Sequence, residues 1–235
     1  MTSCHFSVIM FSMKRLKVSV VINIIIFVLM AVGTVFMFTG FKFTHGQGVP
    51  LEATKLEMLK FFTVDSNIFA GFVSLVMAVK EINVIKWKSP ALSRAMYIWK
   101  YIATIAVSLT FLIVFGYFWL VLRIPILAML QNSNLFFHLV IPVLCIFSFV
   151  FLERSNKIRF RHTWIGLVPT FIYAVFYAIV AFAHMEGGVT PARYDWYGFT
   201  KAGIGPAIAV IPGMLIITYI ICVILWAANR TWRSK

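Results

Sequence analysis

Charge is what this 235-residue chain has least of: 12% of its residues are charged, and only seven are acidic. An ordinary soluble domain carries about 25% charged residues. With 62% hydrophobic residues and a mean hydropathy of +0.95, too few polar groups remain to cover a surface facing water. A water-soluble globular enzyme, a disordered chain and a coiled coil are thereby excluded. Cysteine is scarce as well. Cys4, Cys145 and Cys222 lie far apart and form no Cys/His ligand spacing, so neither a disulfide framework nor structural zinc is expected. Cys145 and Cys222 fall inside apolar runs and read as small core residues. His45, His184, Glu186 and Asp195 match no compact metal motif. His138 and His184 both sit towards one face, so the facing pair that holds a haem between helices is missing. The sequence calls for no cofactor, and it contains no internal repeat of 20–50 residues.

What the chain does have is long apolar runs. A membrane crossing needs about 20 mostly apolar residues, and six segments qualify: 18–39, 61–79, 97–122, 135–152, 164–183 and 204–227. The expected fold is all-α, a single six-span transmembrane bundle. The first run continues past the weak small-residue site Ala31-Val32-Gly33, which marks it as an anchor rather than a cleaved leader. The net charge of +14 reflects topology. Fifteen of the 21 Lys and Arg residues flank the N-terminal segment, the loops after spans two and four, and the tail; six lie on the other side. That asymmetry predicts both termini in the cytoplasm and contact with anionic lipid headgroups rather than nucleic acid; a multi-pass chain of this kind is expected in the cell membrane if it is bacterial. The other side carries the two longest connections. Gly40–Lys60 contains Gly46, Gly48 and Pro50, then turns helix-like at Glu52/Lys55 and Glu57/Lys60. His184–Gly203 carries Tyr194-Asp195-Trp196-Tyr197, suited to an interfacial belt or a cavity lip.

Polar groups within a span face the bundle interior or a wet cavity. In span two, Thr63, Asn67, Ala70, Gly71 and Ser74 recur on one helical face, small and polar, suited to close helix contact. Asp65 lies off that stripe, in the first turns, where a helix N-terminus favours a carboxylate. In span four, Asn134, His138 and Cys145 share a face, and Pro142 removes the N–H that would bond the His138 carbonyl. Thr63 and His138 each lie about 5–6 Å below their polar flanks at 1.5 Å per residue, so the two share a depth. A hydroxyl beside an imidazole is the minimal nucleophile–base pair, although Thr hydroxyls in membrane helices usually bond back to the preceding turn. Tyr173 and Tyr177, on one stripe of span five, either line a cavity or bond across helices.

Two motifs carry a resemblance: Phe61-Phe62-Thr63-Val64-Asp65-Ser66-Asn67, and Asn134-Leu135-Phe136-Phe137-His138-Leu139-Val140-Ile141-Pro142. Together they resemble the androgen-induced-gene and androgen-dependent TFPI-regulating protein family of intramembrane threonine hydrolases, and bacterial six-span proteins of the Pr6Pr type. The similarity covers spans two to five best, and Ser66-Asn67 is closer to the bacterial pattern. The resemblance implies hydrolysis of long-chain fatty acyl esters, with Thr63 as nucleophile and His138 as base. Ser66, Asn67 and Asn134 are then the candidate oxyanion donors, and Tyr173 and Tyr177 shape the acyl pocket. A small-molecule or lipid transporter or binding protein, and a non-catalytic accessory protein, are the alternative readings of the same residues.

Overall fold

Six helices long and apolar enough to cross a membrane form the chain: α1 (Met13–Thr39), α2 (Phe62–Trp87), α3 (Arg94–Trp119), α4 (Ser133–Leu152), α5 (Phe160–Ala183) and α6 (Ile204–Arg230). The computed structural model describes residues 2–44, 53–87, 92–120 and 123–231. His45, Gly46, Gly48, Pro50, Glu52, Lys88 and Arg233 lie outside these. Among the described residues there is no β-strand, only an isolated bridge between Glu186 and Val189. The protein is an all-α, multi-pass bundle whose outer faces are apolar: Val21, Val28, Phe72, Ile172, Ile179, Ile216 and Ile224 are all exposed, as lipid contact requires.

Several helices overrun the expected spans. Helix continues back from span one to Thr2, and α2 passes Val79 to reach Trp87. Hydropathy stops at the first charge, but Lys and Glu are good helix formers, so the backbone continues through Lys80 and Glu81. Ser93 starts α3 by accepting the Met96 N–H at 3.3 Å.

The axis of the bundle is α3. Its most apolar stretch is 56% buried, against 22% for α5 and for α6. The small face of α2 does what its composition predicts: Asn67, Ala70 and Ser74 are fully buried. A Cβ at Gly71 would stand 2.8 Å from the Met30 Cβ, so only glycine permits this approach of α1. In α4 the missing Pro142 N–H coincides with a wide, π-type turn over Phe136–Val140, and a second spans Ser148–Leu152. Asn132, at φ 52°, precedes α4. Its Oδ1 accepts hydrogen bonds from the Phe43 and Thr44 N–H groups and the Thr44 hydroxyl at 2.9–3.0 Å, fixing the end of α1 to the start of α4.

Candidate functional site

The α5–α6 connection folds over one end of the bundle because a buried carboxylate organises it. Asp195 is 2% exposed. It accepts hydrogen bonds from the Tyr177 hydroxyl, the Phe199 N–H at 2.9 Å, and the Thr200 N–H and hydroxyl at 2.9 and 2.7 Å. Burial pushes this carboxyl up, but the hydrogen bonds, led by Tyr177, more than reverse it and hold the group below the ordinary aspartate value. Next to it, Tyr173 donates to the Lys60 carbonyl and accepts from the Trp196 indole N–H at 3.0 Å. The Tyr197 hydroxyl accepts from the Phe62 N–H at 3.0 Å, and burial pushes its own pKa well above the tyrosine norm. These two tyrosines hold the Lys60 carbonyl, two residues before α2, and the first N–H of α2, which sets the position of Thr63.

Beneath this cap, α2, α3, α5 and α6 line a mostly apolar cavity of about 350 Å³. Its polar lining includes Thr63, Thr110, Thr170, Tyr173, Tyr177, Tyr197 and Thr200. Tyr117 and Phe182 belong both to the lining and to the exposed surface, so the cavity reaches the side of the bundle between α3 and α5. Tyr173 and Tyr177 therefore fill both roles the sequence left open for them, lining a cavity and bonding across elements.

The other sequence candidates lie outside that lining. Ser66 donates to the Thr63 carbonyl at 3.1 Å. Asn67 donates to the same carbonyl at 2.7 Å and to the Phe137 carbonyl at 3.1 Å, which ties α2 to α4 immediately beside His138. Asn134 is 1% exposed, and its Nδ2 has no partner. His138 is equally buried, and its Nδ1 lies 2.8 Å from the Met129 carbonyl. A carbonyl can only accept, so the proton of the neutral ring sits on Nδ1 and Nε2 is the basic nitrogen. Asp65 is half-buried, and Lys60 pairs instead with Glu57 at 3.7 Å.

One polar group escaped the sequence reading altogether. Lys100, counted above as a loop flank, is fully buried. Its ammonium reaches Asn23 Oδ1 at 2.5 Å, Ser74 Oγ at 2.9 Å and Glu153 Oε1 at 3.4 Å. Glu81 joins through the Ser19 hydroxyl at 2.7 Å, and Asn23 Nδ2 donates to Glu153 at 2.7 Å. The signal was available: Ser19/Asn23 at i,i+4, and the stripe from Thr63 through Ser74 continued two further turns to Glu81. Compared with known proteins, the chain matches no family model, no curated protein and no solved structure.

Proposed function

We propose that this membrane protein binds the acyl chain of a membrane lipid or lipid ester in the cavity among α2, α3, α5 and α6. The observation that carries the reading is the cavity itself. It is mostly apolar, open at the side of the bundle, and lined by Thr63 and Tyr173 among its polar residues, with a volume of about 350 Å³; that falls within the range of sites for small ligands, about 300–1,000 Å³. Ester hydrolysis at Thr63 is a second reading, favoured by two features. The Thr63 side chain stands on the cavity wall. The His138 ring is held by the Met129 carbonyl in the tautomer a general base requires, with Nε2 unprotonated. In this reading the imidazole has to move into the cavity, since the resting ring is packed outside it.

Native mass spectrometry of the purified full chain separates the readings. Wild type is expected to retain an acyl lipid, and Ala174→Trp, which fills the cavity, to lose it. Retention unchanged by Ala174→Trp overturns lipid binding in this cavity. With long-chain p-nitrophenyl esters, hydrolysis is expected to fall at least about 100-fold in Thr63→Ala and in His138→Ala, with lipid still retained by Thr63→Ala. Equal rates in wild type and Thr63→Ala leave binding without chemistry.

We infer further that both termini face the cytoplasm, with the cap on the opposite side. The support is the asymmetry of basic flanks, reduced by one now that Lys100 lies inside the bundle. Cysteines introduced at Lys17 and at Arg193 are expected to label from opposite faces of sealed vesicles. Labelling from the same face reverses the assignment of one end.

A further inference from the structure

The cluster around Lys100 lies at the far end of α2 from the cavity. Thr63 and Glu81 are 18 residues apart, about 27 Å along the helix. Four helices contribute: Ser19 and Asn23 from α1, Ser74 and Glu81 from α2, Lys100 from α3, and Glu153 from the C-terminal cap of α4. From α6, Asn229 donates to the Phe149 and Glu153 carbonyls at 2.6 and 3.3 Å and fixes the end of α4. All six cluster residues are buried, none more than 3% exposed.

The charges in the cluster do not balance. Two carboxylates face one ammonium, leaving one net negative charge in a desolvated site, an arrangement strongly disfavoured in lipid. The hydrogen-bond count is short in the same place. The Lys100 ammonium donates to Asn23 and Ser74 and pairs with Glu153 Oε1 at 3.4 Å, and the single Ser19 proton goes to Glu81 at 2.7 Å. Asn23 Nδ2 bonds Glu153 Oε1 and is within 3.5 Å of Glu81 Oε2. The second Glu153 oxygen, Oε2, is buried and has no partner. Among the described residues, the ion pair recorded for these two carboxylates is the one with Lys100. Cys145 lies within electrostatic reach of Lys100 and Glu153, and Arg154 lies within reach of the Arg15 charge. Both carboxylates also share the same two donors, Ser19 and Asn23, which holds them side by side.

We propose that Glu81 and Glu153 form a proton-binding site, sharing one proton between them in the folded protein. Loaded, the cluster is neutral: one ammonium, one carboxylate and one carboxylic acid. Unloaded, it carries one negative charge at the end of the bundle opposite the cavity. The proton belongs to the pair rather than to either residue.

Infrared spectroscopy of the full chain at neutral pH tests this through the carbonyl band of a protonated carboxylic acid. The chain has only seven acidic residues, and within the bundle these are Asp65, Glu81 and Glu153. The band is expected in wild type and in Asp65→Asn, and absent in Glu81→Gln and in Glu153→Gln, where a single carboxylate pairs with Lys100. Should either glutamine variant fail to fold, Asp65→Asn decides the case: survival of the band there supports the pair and its loss overturns it. The proposal also fails if wild type shows no band, or if the band persists in both glutamine variants. A folded state holding one extra proton loses stability as pH rises, so the melting temperature of wild type is expected to fall with rising pH and that of Glu81→Gln to stay flat. Stabilisation of wild type by sodium or potassium, with no carboxylic acid band, assigns the balancing charge to a metal cation and overturns the proposal.

Discussion

Replacing Lys100 with methionine is expected to cost about 3–5 kcal/mol of stability, the range seen when one partner of a buried ion pair is removed. The side chain is fully buried and makes three polar contacts to three other helices, Asn23 on α1, Ser74 on α2 and Glu153 at the C-terminal cap of α4. Methionine keeps the length of the stem but strands the carboxylates of Glu81 and Glu153 without their cation. An exposed pair at the surface contributes only about 0–1 kcal/mol, so the magnitude itself separates a bundle-centred charge from a loop flank. Thermal or SDS-induced unfolding of the full chain measures it. Adding Glu81→Gln and Glu153→Gln to Lys100→Met should recover much of the loss, because the polar shape survives and no charge remains to desolvate. A loss below about 1 kcal/mol for Lys100→Met alone would show that Lys100 reaches water.

Asp195→Ala is expected to have the second largest effect, about 3 kcal/mol, with collapse of the cap over the cavity. Four donors converge on this carboxylate, and hydrogen bonds to a charged acceptor contribute about 1.5–3 kcal/mol each. They do not add fully, since some of the freed donors reach water. The pH dependence has a defined direction. The folded group titrates below the unfolded value of about 3.9, so its stabilisation is complete above that pH and disappears as pH falls through the folded value. Asp195→Asn should retain part of the stability, because the amide oxygen still accepts, and should lose the acid sensitivity. If acid unfolding is the same in Asp195→Asn and wild type, another carboxylate governs it.

The two ends of the bundle differ in how far the sequence revealed them. Six spans followed from hydropathy because lipid imposes a length and a composition that few other environments do. The close-packing face of α2 followed from helical periodicity, and Gly71 against Met30 bears it out. The ends of α2 and α3 did not follow, because Glu81 and Lys100 look like loop flanks until their partners are known. Each is 26 or more residues from its nearest partner on another helix, and no local rule links them. The fourfold hydrogen bonding of Asp195 was equally hidden, since three of its donors lie four or five residues downstream in a connection without periodicity. Thr63, Tyr173 and Tyr177 are brought to one cavity, while His138 is placed against Met129 by a wide turn that no window average registers.

That turn also separates α4 from α2 in what each tolerates. At 3.6 residues per turn, the 18 positions from Thr63 to Glu81 make five whole revolutions, which keeps both residues in phase along one rod. Inserting a single amino acid between them rotates everything beyond it by about 100° and swings the Glu81 carboxylate towards the acyl tails. The two widened turns of α4 each already hold the equivalent of a spare residue, so a one-residue deletion there tightens a loop of helix and leaves the flanking contacts aligned. Length variation in this architecture has a reservoir in the fourth crossing and none in the second.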